Sequence, residues 1–158
     1  MINIAIVYTS LHHKNTERLI NGIKNRYDIT LIDASANKKA DLNNYDIIGF
    51  ASGIEYGKFY NCVEKFLNNN LPENKKVFFI YTCAKDNPRF TDSIKNASSK
   101  KKATILGQFG CKGYNTYGPL KLIGGINRTH PDDTDVKQAI TFITSVIEKM
   151  NCQTKCNT

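Results

Sequence analysis

The sequence predicts a three-layer α/β/α sandwich in which helices cover both faces of a five-stranded parallel sheet. Five short apolar runs alternate with helical patterns along the 158 residues, an alternation typical of strand–helix–strand units. The runs are almost continuously apolar, as expected of strands that are buried on both faces. The length suits a single domain, which we assign to residues 1–150, and we expect the polar residues 151–158 to form a frayed tail.

The first half of the chain contains three of the predicted strands. They occupy residues 2–8 (INIAIVY), 29–32 and 46–51 (DIIGFA). The first helix follows the first strand and begins at a cap supplied by Asn15 or Thr16. Residues 34–44 are polar and hold a short helix or none. After the third strand, residues 58–67 have the apolar spacing of a helix.

The second half contains the remaining two strands, at residues 76–81 (KVFFIY) and 104–109 (TILGQF). Polar residues 89–101 predict a helix between them, and residues 132–150 predict the last helix. The glycine-rich loop at 110–129 exceeds the usual limit of ~12–15 residues, which marks it as functional or mobile. We expect His130, which precedes Pro131, to help set the start of the last helix rather than to act in catalysis.

The chain is basic, with 22 Lys and Arg against 14 Asp and Glu and a net charge of +8. This excess favours an acidic partner, although solvated helix faces would also explain it. The lysines form short scattered clusters without the interleaved aromatic residues of an RNA-binding motif, so we expect no nucleic-acid partner. No apolar run reaches the ~18 residues of a membrane helix, and no signal peptide precedes the first strand, which favours a cytoplasmic protein with no membrane partner.

The five cysteines are odd in number and unevenly spaced, which favours reduced thiols and no metal site. Cys83 follows the fourth strand and could be a nucleophile. No histidine lies identifiably beside it, so an inert small residue is the better interpretation.

Ligands of doubly wound sheets bind outside the carboxyl ends of the strands. The first such loop joins a strand to the N-terminus of a helix, where free N–H groups favour an anion. Ser10, Asn15 and Thr16 add side-chain donors, and Lys14 or a histidine could add charge. The loop is therefore a candidate phosphate site without a Walker or GxGxxG motif, although Asn15 and Thr16 could merely cap the helix.

The second loop carries Gly53 and Gly57, which can adopt positive φ, and Tyr56, which could stack on a flat ligand. The alternative is a plain turn between a strand and a helix, with Tyr56 on its surface.

Together these segments resemble a known family. A strand, a loop of serine, histidine and Asn-Thr, and a helix open the chain, followed by strands ending in "GFASGIEYGKF" and "IYTCAK". The later stretch "GQFGCKGYNTYGPLKLIGGINRTHPDDTDVKQA" completes the similarity, which covers residues 1 to about 150. The chain resembles the flavodoxin-like family, and in particular its small single-domain bacterial members. The resemblance implies strand order 2-1-3-4-5 and a non-covalently bound FMN that carries electrons.

The resemblance also implies which residues hold the cofactor. The phosphate would lie against Ser10, His12, His13, Lys14, Asn15 and Thr16. Asn15-Thr16 match the end of the family's T-G-N-T signature, whereas Lys14 stands where the family has glycine. The ring would contact Ser52, Gly53, Ile54 and Tyr56, with Gly53 near its N5, and also Thr82, Cys83, Ala84 and Lys85, with Tyr114 as a further candidate. No catalytic residue and no metal ligand is implied.

We therefore expect an FMN-binding electron-transfer protein, and an electron carrier rather than an NAD(P)H-dependent oxidoreductase. The alternatives are an FMN-dependent reductase with a small substrate of its own and a non-flavin binding module of the same fold. Typical flavodoxins carry a strongly negative net charge, whereas this chain has a net charge of +8. We therefore expect an acidic, ferredoxin-like redox partner, and a protein that is a monomer or a homodimer.

Overall fold

The computed structural model describes residues 2–155 of the chain. Six strands and four α-helices follow one another in the order β1 (Ile4–Thr9), α1 (Asn15–Lys24), β2 (Ile29–Asp33), β3 (Ile47–Glu55), β4 (Lys58–Phe59), α2 (Asn61–Asn70), β5 (Lys76–Cys83), α3 (Asp92–Lys100), β6 (Thr104–Lys112) and α4 (Asp133–Lys155). Two short 3₁₀ helices, Pro88–Thr91 and Gly118–Ile123, lie in the loops before α3 and after β6.

The central sheet has the strand order β2-β1-β3-β5-β6, and all four pairings between neighbours are parallel. When the two-residue strand β4 is left out, this is the predicted order 2-1-3-4-5. The predicted fold class is therefore confirmed.

Alternate side chains of the central strands enter two separate cores, which is why helices cover both faces. Phe78 and Ile80 of β5 pack on the face covered by α1 and α4. Phe79 and Tyr81 of the same strand pack on the face covered by α2 and α3. Strands buried on both faces must be apolar at nearly every position, and this is the continuous pattern that the sequence shows.

The prediction for residues 58–67 is wrong at its start. β3 continues to Glu55, and Lys58–Phe59 fold back as β4, so that α2 begins three residues later than predicted, at Asn61. Tyr56 and Gly57 form the two-residue turn of this hairpin, with φ of 50° and 77°. Two consecutive positive φ values are the signature of a hairpin turn that matches the twist of its strands. The alternative of a plain strand-to-helix turn is therefore wrong about the turn, although Tyr56 is exposed on its surface, as that alternative expected.

The start of α4 is fixed by a reciprocal pair of carboxylates. Asp132 Oδ1 accepts hydrogen bonds from the N–H groups of Thr134 and Asp135, and Asp135 Oδ2 accepts one from the N–H of Asp132. The same Asp135 oxygen lies 2.6 Å from His130 Nδ1. His130 thus supports the helix start, as predicted.

α4 continues to Lys155, into the segment that the sequence analysis assigned to the tail, and residues 156–158 lie outside the described residues. Although α4 has 23 residues, neither it nor any other described helix is long and apolar enough to cross a membrane.

Gly49 lies directly beneath the ring of Phe78 in the core. A Cβ at Gly49 would lie 2.3 Å from Phe78 Cζ, far inside van der Waals contact. We expect Gly49→Ala to lower the free energy of unfolding by about 1–3 kcal/mol, the usual cost of overpacking a core. Urea unfolding of the apoprotein measures it. The same substitution in a Phe78→Leu background should cost less, and an equal cost in both backgrounds would contradict this packing.

Candidate functional site

A cleft of about 420 Å³ lies at the carboxyl edge of the sheet and is surrounded by loop side chains. Its walls are the loops that follow β1, β3, β5 and β6, which we call the first, second, third and fourth loops. The strand order reverses between β1 and β3, where doubly wound sheets open a ligand crevice. The volume is within the range of small-molecule sites.

Most of the predicted site residues border this cleft. Twelve of them line it: Ser10, His12, His13, Asn15, Thr16, Gly53, Ile54, Tyr56, Thr82, Cys83, Ala84 and Tyr114. Three of the predicted residues, Lys14, Ser52 and Lys85, do not. Nine lining residues were not predicted: Leu11, Glu55, Tyr60, Gly113, Asn115, Thr116, Tyr117, Gly118 and Lys121. Contact of any of these side chains with a ligand stays a prediction.

The loop between β1 and α1 borders the cleft and has several main-chain N–H groups that are unpartnered in the described part of the chain. His13 and Lys14 both have left-handed φ values, 51° and 54°, immediately before the helix. Among residues 2–155, the N–H groups of residues 11–14 and of Thr16 have no hydrogen-bond partner. Consecutive N–H groups in such a turn, at the positive end of a helix, form a concave anion site. We call these five groups the amide cradle.

The side chains that the sequence analysis proposed as anion donors are used elsewhere. Ser10 Oγ accepts from the N–H of Glu17, 3.2 Å away, and so caps α1. Asn15 Nδ2 donates to the carbonyl oxygen of Tyr114 over 2.8 Å. The buried hydroxyl of Thr16 lies 3.1 Å from that of Thr82. Asn15 and Thr16 therefore tie the first loop to other walls of the cleft, rather than capping the helix.

Ser52 lies beneath the cleft rather than in its wall. Its buried hydroxyl oxygen accepts from the N–H of Tyr60 over 2.9 Å and donates to the carbonyl oxygen of Gly53 over 2.6 Å. A positive φ is observed at Gly57 and not at Gly53. At Gly53 the absence of a side chain matters instead for packing, because a Cβ there would lie 2.9 Å from the Tyr60 ring.

Cys83 forms part of the cleft floor as a protonated thiol. Its Sγ donates to the carbonyl oxygen of Cys111 over 3.6 Å. Burial, followed by the charge of Asp86, raises the pKa of Cys83 to about 12. A thiol that stays protonated at neutral pH is a poor nucleophile, in agreement with the inert interpretation. Lys85, two residues further on, is exposed outside the cleft.

The segment 113–130 is an ordered wall with internal pairing. Tyr114 N–H donates to the carbonyl oxygen of His130, and Asn115 and Ile126 exchange two main-chain hydrogen bonds of 3.0 and 2.9 Å. Asn127 Nδ2 joins this wall to the third loop through the carbonyl oxygen of Ala84, 2.8 Å away.

His13 joins the same wall to the amide cradle. Its Nε2 lies 2.9 Å from Thr116 Oγ1, and its ring centroid lies 4.1 Å from that of Tyr114. The first and fourth loops therefore support each other across one end of the cleft.

Exposed apolar side chains surround the cleft mouth. Five large apolar residues are exposed in the described part of the chain: Leu11, Tyr56, Tyr117, Leu122 and Ile123. The first three line the cleft, and the other two follow Lys121, which also lines it. A hydrogen bond with Tyr117 raises the pKa of Tyr56, so these two hydroxyl groups meet at the mouth. We call these five residues the apolar collar.

The residues that sequence reasoning missed have two explanations. Tyr60 fell inside the helix predicted at 58–67, and the turn that moves it into the cleft was not anticipated. Tyr117 and Lys121 lie in a loop that the glycine pattern marked as functional, but no periodicity indicates which way its side chains face. The arrangement as a whole suits a flat, partly apolar molecule that ends in an anionic group.

Comparison with known proteins places the chain among similar sequences and structures. A family model described as a flavodoxin domain matches residues 5–121. An uncharacterized protein of Methanocaldococcus jannaschii is 37% identical over 145 residues, which are 90% of this chain and 97% of that protein.

Solved structures share the fold at low sequence identity. Oxidised flavodoxin 1 from Bacillus cereus has a TM-score of 0.69 at 16% identity and covers 92% of this chain and 97% of its own. A flavodoxin from the domain Archaea has a TM-score of 0.66 at 18% identity, covering 95% and 99%. A flavoprotein from Lactobacillus acidophilus NCFM, solved in complex with FMN, has a TM-score of 0.55 at 16% identity, covering 70% and 93%.

Bacterial and archaeal proteins both occur among these relatives, so the similarity does not restrict the source to bacteria. The family match covers well over half of the chain, and the fold and the position of the cleft agree with it. The chain therefore belongs to the flavodoxin domain family.

Proposed function

We propose that this protein binds FMN and transfers electrons through it. The observation that carries the proposal is the amide cradle at one end of a cleft whose other walls include Tyr56, Tyr60 and Tyr114. A phosphate monoester fits five free N–H groups at a helix N-terminus. A flat ring system fits the tyrosine-lined remainder of the cleft. Family membership and the FMN complex of a similar flavoprotein support the same cofactor.

The chain's own contribution is to hold and enclose the cofactor, whose ring supplies the electron-transfer chemistry. The amide cradle would hold the phosphate through main-chain atoms. Tyr114, fixed between His13 and the carbonyl oxygen of Gly124, would form a rigid side wall. The floor residues Thr82 and Cys83 are uncharged and buried, so they would limit water beneath the ring.

The surface around the cleft mouth supports an acidic electron-transfer partner. Lys85, Lys112 and Lys121 are exposed, and within residues 2–155 no carboxylate lies within ion-pair distance of their ammonium groups. Lys14 and Lys58 are partly neutralised by Glu17 and Glu64, at 3.7 and 3.9 Å. A docking partner would therefore meet an apolar collar with unpaired lysines on the same edge of the sheet, and acidic side chains would complement these lysines.

We expect FMN to bind at least about 10-fold more tightly than riboflavin, because hydrogen bonds to a charged group contribute about 1.5–3 kcal/mol. FAD should bind much more weakly than FMN, since no second nucleotide motif would hold its adenylate. Quenching of flavin fluorescence, titrated with each of the three ligands, measures the affinities. Equal affinity for riboflavin and FMN would contradict the amide cradle as the phosphate site.

Lys14 holds a left-handed φ of 54° where its family has glycine. We expect Lys14→Gly to raise the free energy of unfolding by about 1 kcal/mol, because the left-handed penalty of about 1–2 kcal/mol is removed and the greater freedom of the unfolded chain offsets only part of it. FMN affinity should stay within about 3-fold of that of the unmodified protein, since the proposed phosphate site consists of main-chain N–H groups.

Urea unfolding and fluorescence titration measure the two effects of Lys14→Gly. Lys24→Gly, in the last turn of α1, is the matched control and should instead lower stability by about 0.5–1 kcal/mol. A loss of more than 10-fold in FMN affinity on Lys14→Gly would show that the ammonium group, not the amide cradle, holds the phosphate.

We expect the rate of reduction by an acidic ferredoxin to fall as salt rises. The Debye length shortens from ~30 Å at 0.01 M to ~10 Å at 0.1 M, which weakens any long-range attraction. Changing Lys85, Lys112 and Lys121 together to Gln should remove most of this salt dependence. In the matched control, Lys38, Lys39 and Lys100, on the opposite edge of the sheet, are changed to Gln instead. This control should retain the salt dependence of the rate.

Stopped-flow mixing of the reduced ferredoxin with the FMN-loaded protein measures these rates. A rate that is flat or rises with salt would contradict an acidic partner. Steady NAD(P)H consumption without an added reductase would indicate that the protein is a reductase with its own substrate, rather than a carrier.

A further inference from the structure

Tyr60 is held rigidly at the junction between β4 and α2. Its N–H donates to the buried Ser52 hydroxyl over 2.9 Å, and its side chain is only 5% exposed. The ring lies over Gly53, so close that a Cβ there would be 2.9 Å from Cε2 and 3.1 Å from the hydroxyl oxygen. The hydroxyl group therefore lies against the cleft where the main chain of β3 borders it.

This hydroxyl group has no hydrogen-bond partner among residues 2–155. Three other tyrosines do have hydroxyl partners within the protein: Tyr27 contacts Thr144, Tyr81 donates to Asp86, and Tyr114 donates to the carbonyl oxygen of Gly124. Tyr81 is the one of these that is as buried as Tyr60. Among the described residues, Glu64 Oε1 is the only fully buried side-chain N or O atom without a hydrogen-bond partner, so the Tyr60 hydroxyl group is open to the cleft and can donate to a ligand or a water there.

The environment keeps this group protonated. Burial, followed by the charges of Glu55 and Cys62, raises the pKa of Tyr60 to about 12. At neutral pH the hydroxyl group is therefore available as a donor. The phosphate of the cofactor already has the amide cradle, whereas the carbonyl oxygens and ring nitrogens of a flavin need donors from another wall of the cleft.

We propose that the Tyr60 hydroxyl group donates a hydrogen bond to the ring system of bound FMN and so sets the position of the ring above Gly53. The inference rests on the proposed function and extends it to a residue that sequence patterns did not indicate. Gly53 is then required for a reason of shape, because any side chain there would push the Tyr60 ring out of place.

The test is Tyr60→Phe, with FMN and riboflavin affinities measured by fluorescence quenching. Loss of a hydrogen bond to the ring should lower the affinities for FMN and for riboflavin by the same factor, about 2- to 12-fold for one hydrogen bond. The absorption maximum of bound FMN should also shift. Without FMN, the Tyr60→Phe variant should be no less stable in urea than the unmodified protein, because the hydroxyl group has no partner to lose.

Tyr27→Phe is the matched control, because it removes an equivalent hydroxyl group that bonds to Thr144 between α1 and α4. It should lower stability in urea and leave both affinities unchanged. If Tyr60→Phe lowered the affinity for FMN but not for riboflavin, the contact would be with the phosphate, and the inference would be overturned. Unchanged affinities, or a loss of apoprotein stability without a loss of affinity, would also overturn it. If the unmodified protein fails to bind FMN at all, the proposed function itself is refuted.

Discussion

The cleft depends on the burial of the three central strands, β1, β3 and β5. Because side chains such as Phe78 and Phe79 leave these strands in opposite directions into two cores, an unpaired polar side chain would be costly along most of their length. Polar chemistry is displaced to the strand ends, and parallel pairing brings the ends of β1, β3 and β5 to one edge. The same constraint thus determines both the helix layers and the position of the site.

The polar side chains at that edge act mainly on one another. Asn15 joins the first loop to the fourth, Thr16 joins the first to the third, and Asn127 joins the fourth to the third. Ser52 performs the same task between β3 and the start of α2. Such cross-links hold the walls at fixed separations before any ligand enters, so less ordering is needed on binding. Under the proposed function, ligand contacts would therefore fall to main-chain groups and to tyrosine side chains.

Sequence reasoning predicted the sheet, and it predicted the edge of the sheet at which the cleft lies, for physical reasons. Doubly buried strands require continuous apolar runs, and ligand crevices follow from strand order, so both can be inferred without coordinates. The hairpin at Tyr56 and Gly57 was missed because Phe59, Cys62 and Val63 also satisfy the spacing of a helix. Roles that depend on three-dimensional partners could not be inferred. Ser52 and Tyr60 both carry a hydroxyl group, and no linear pattern encodes that the Ser52 hydroxyl group has partners in the protein whereas none is found for that of Tyr60 among the described residues.

The amide cradle also bears on how far this loop can diverge while its geometry persists. N–H groups are common to all residues except proline, so under the proposed function anion contact would not constrain the side chains of His12, His13 and Lys14. That freedom is compatible with the bulky basic sequence His12-His13-Lys14 in this loop. Sequence signatures written for this loop will consequently pass over some proteins that retain the same main-chain shape, and searches based on backbone dihedral angles will recover them.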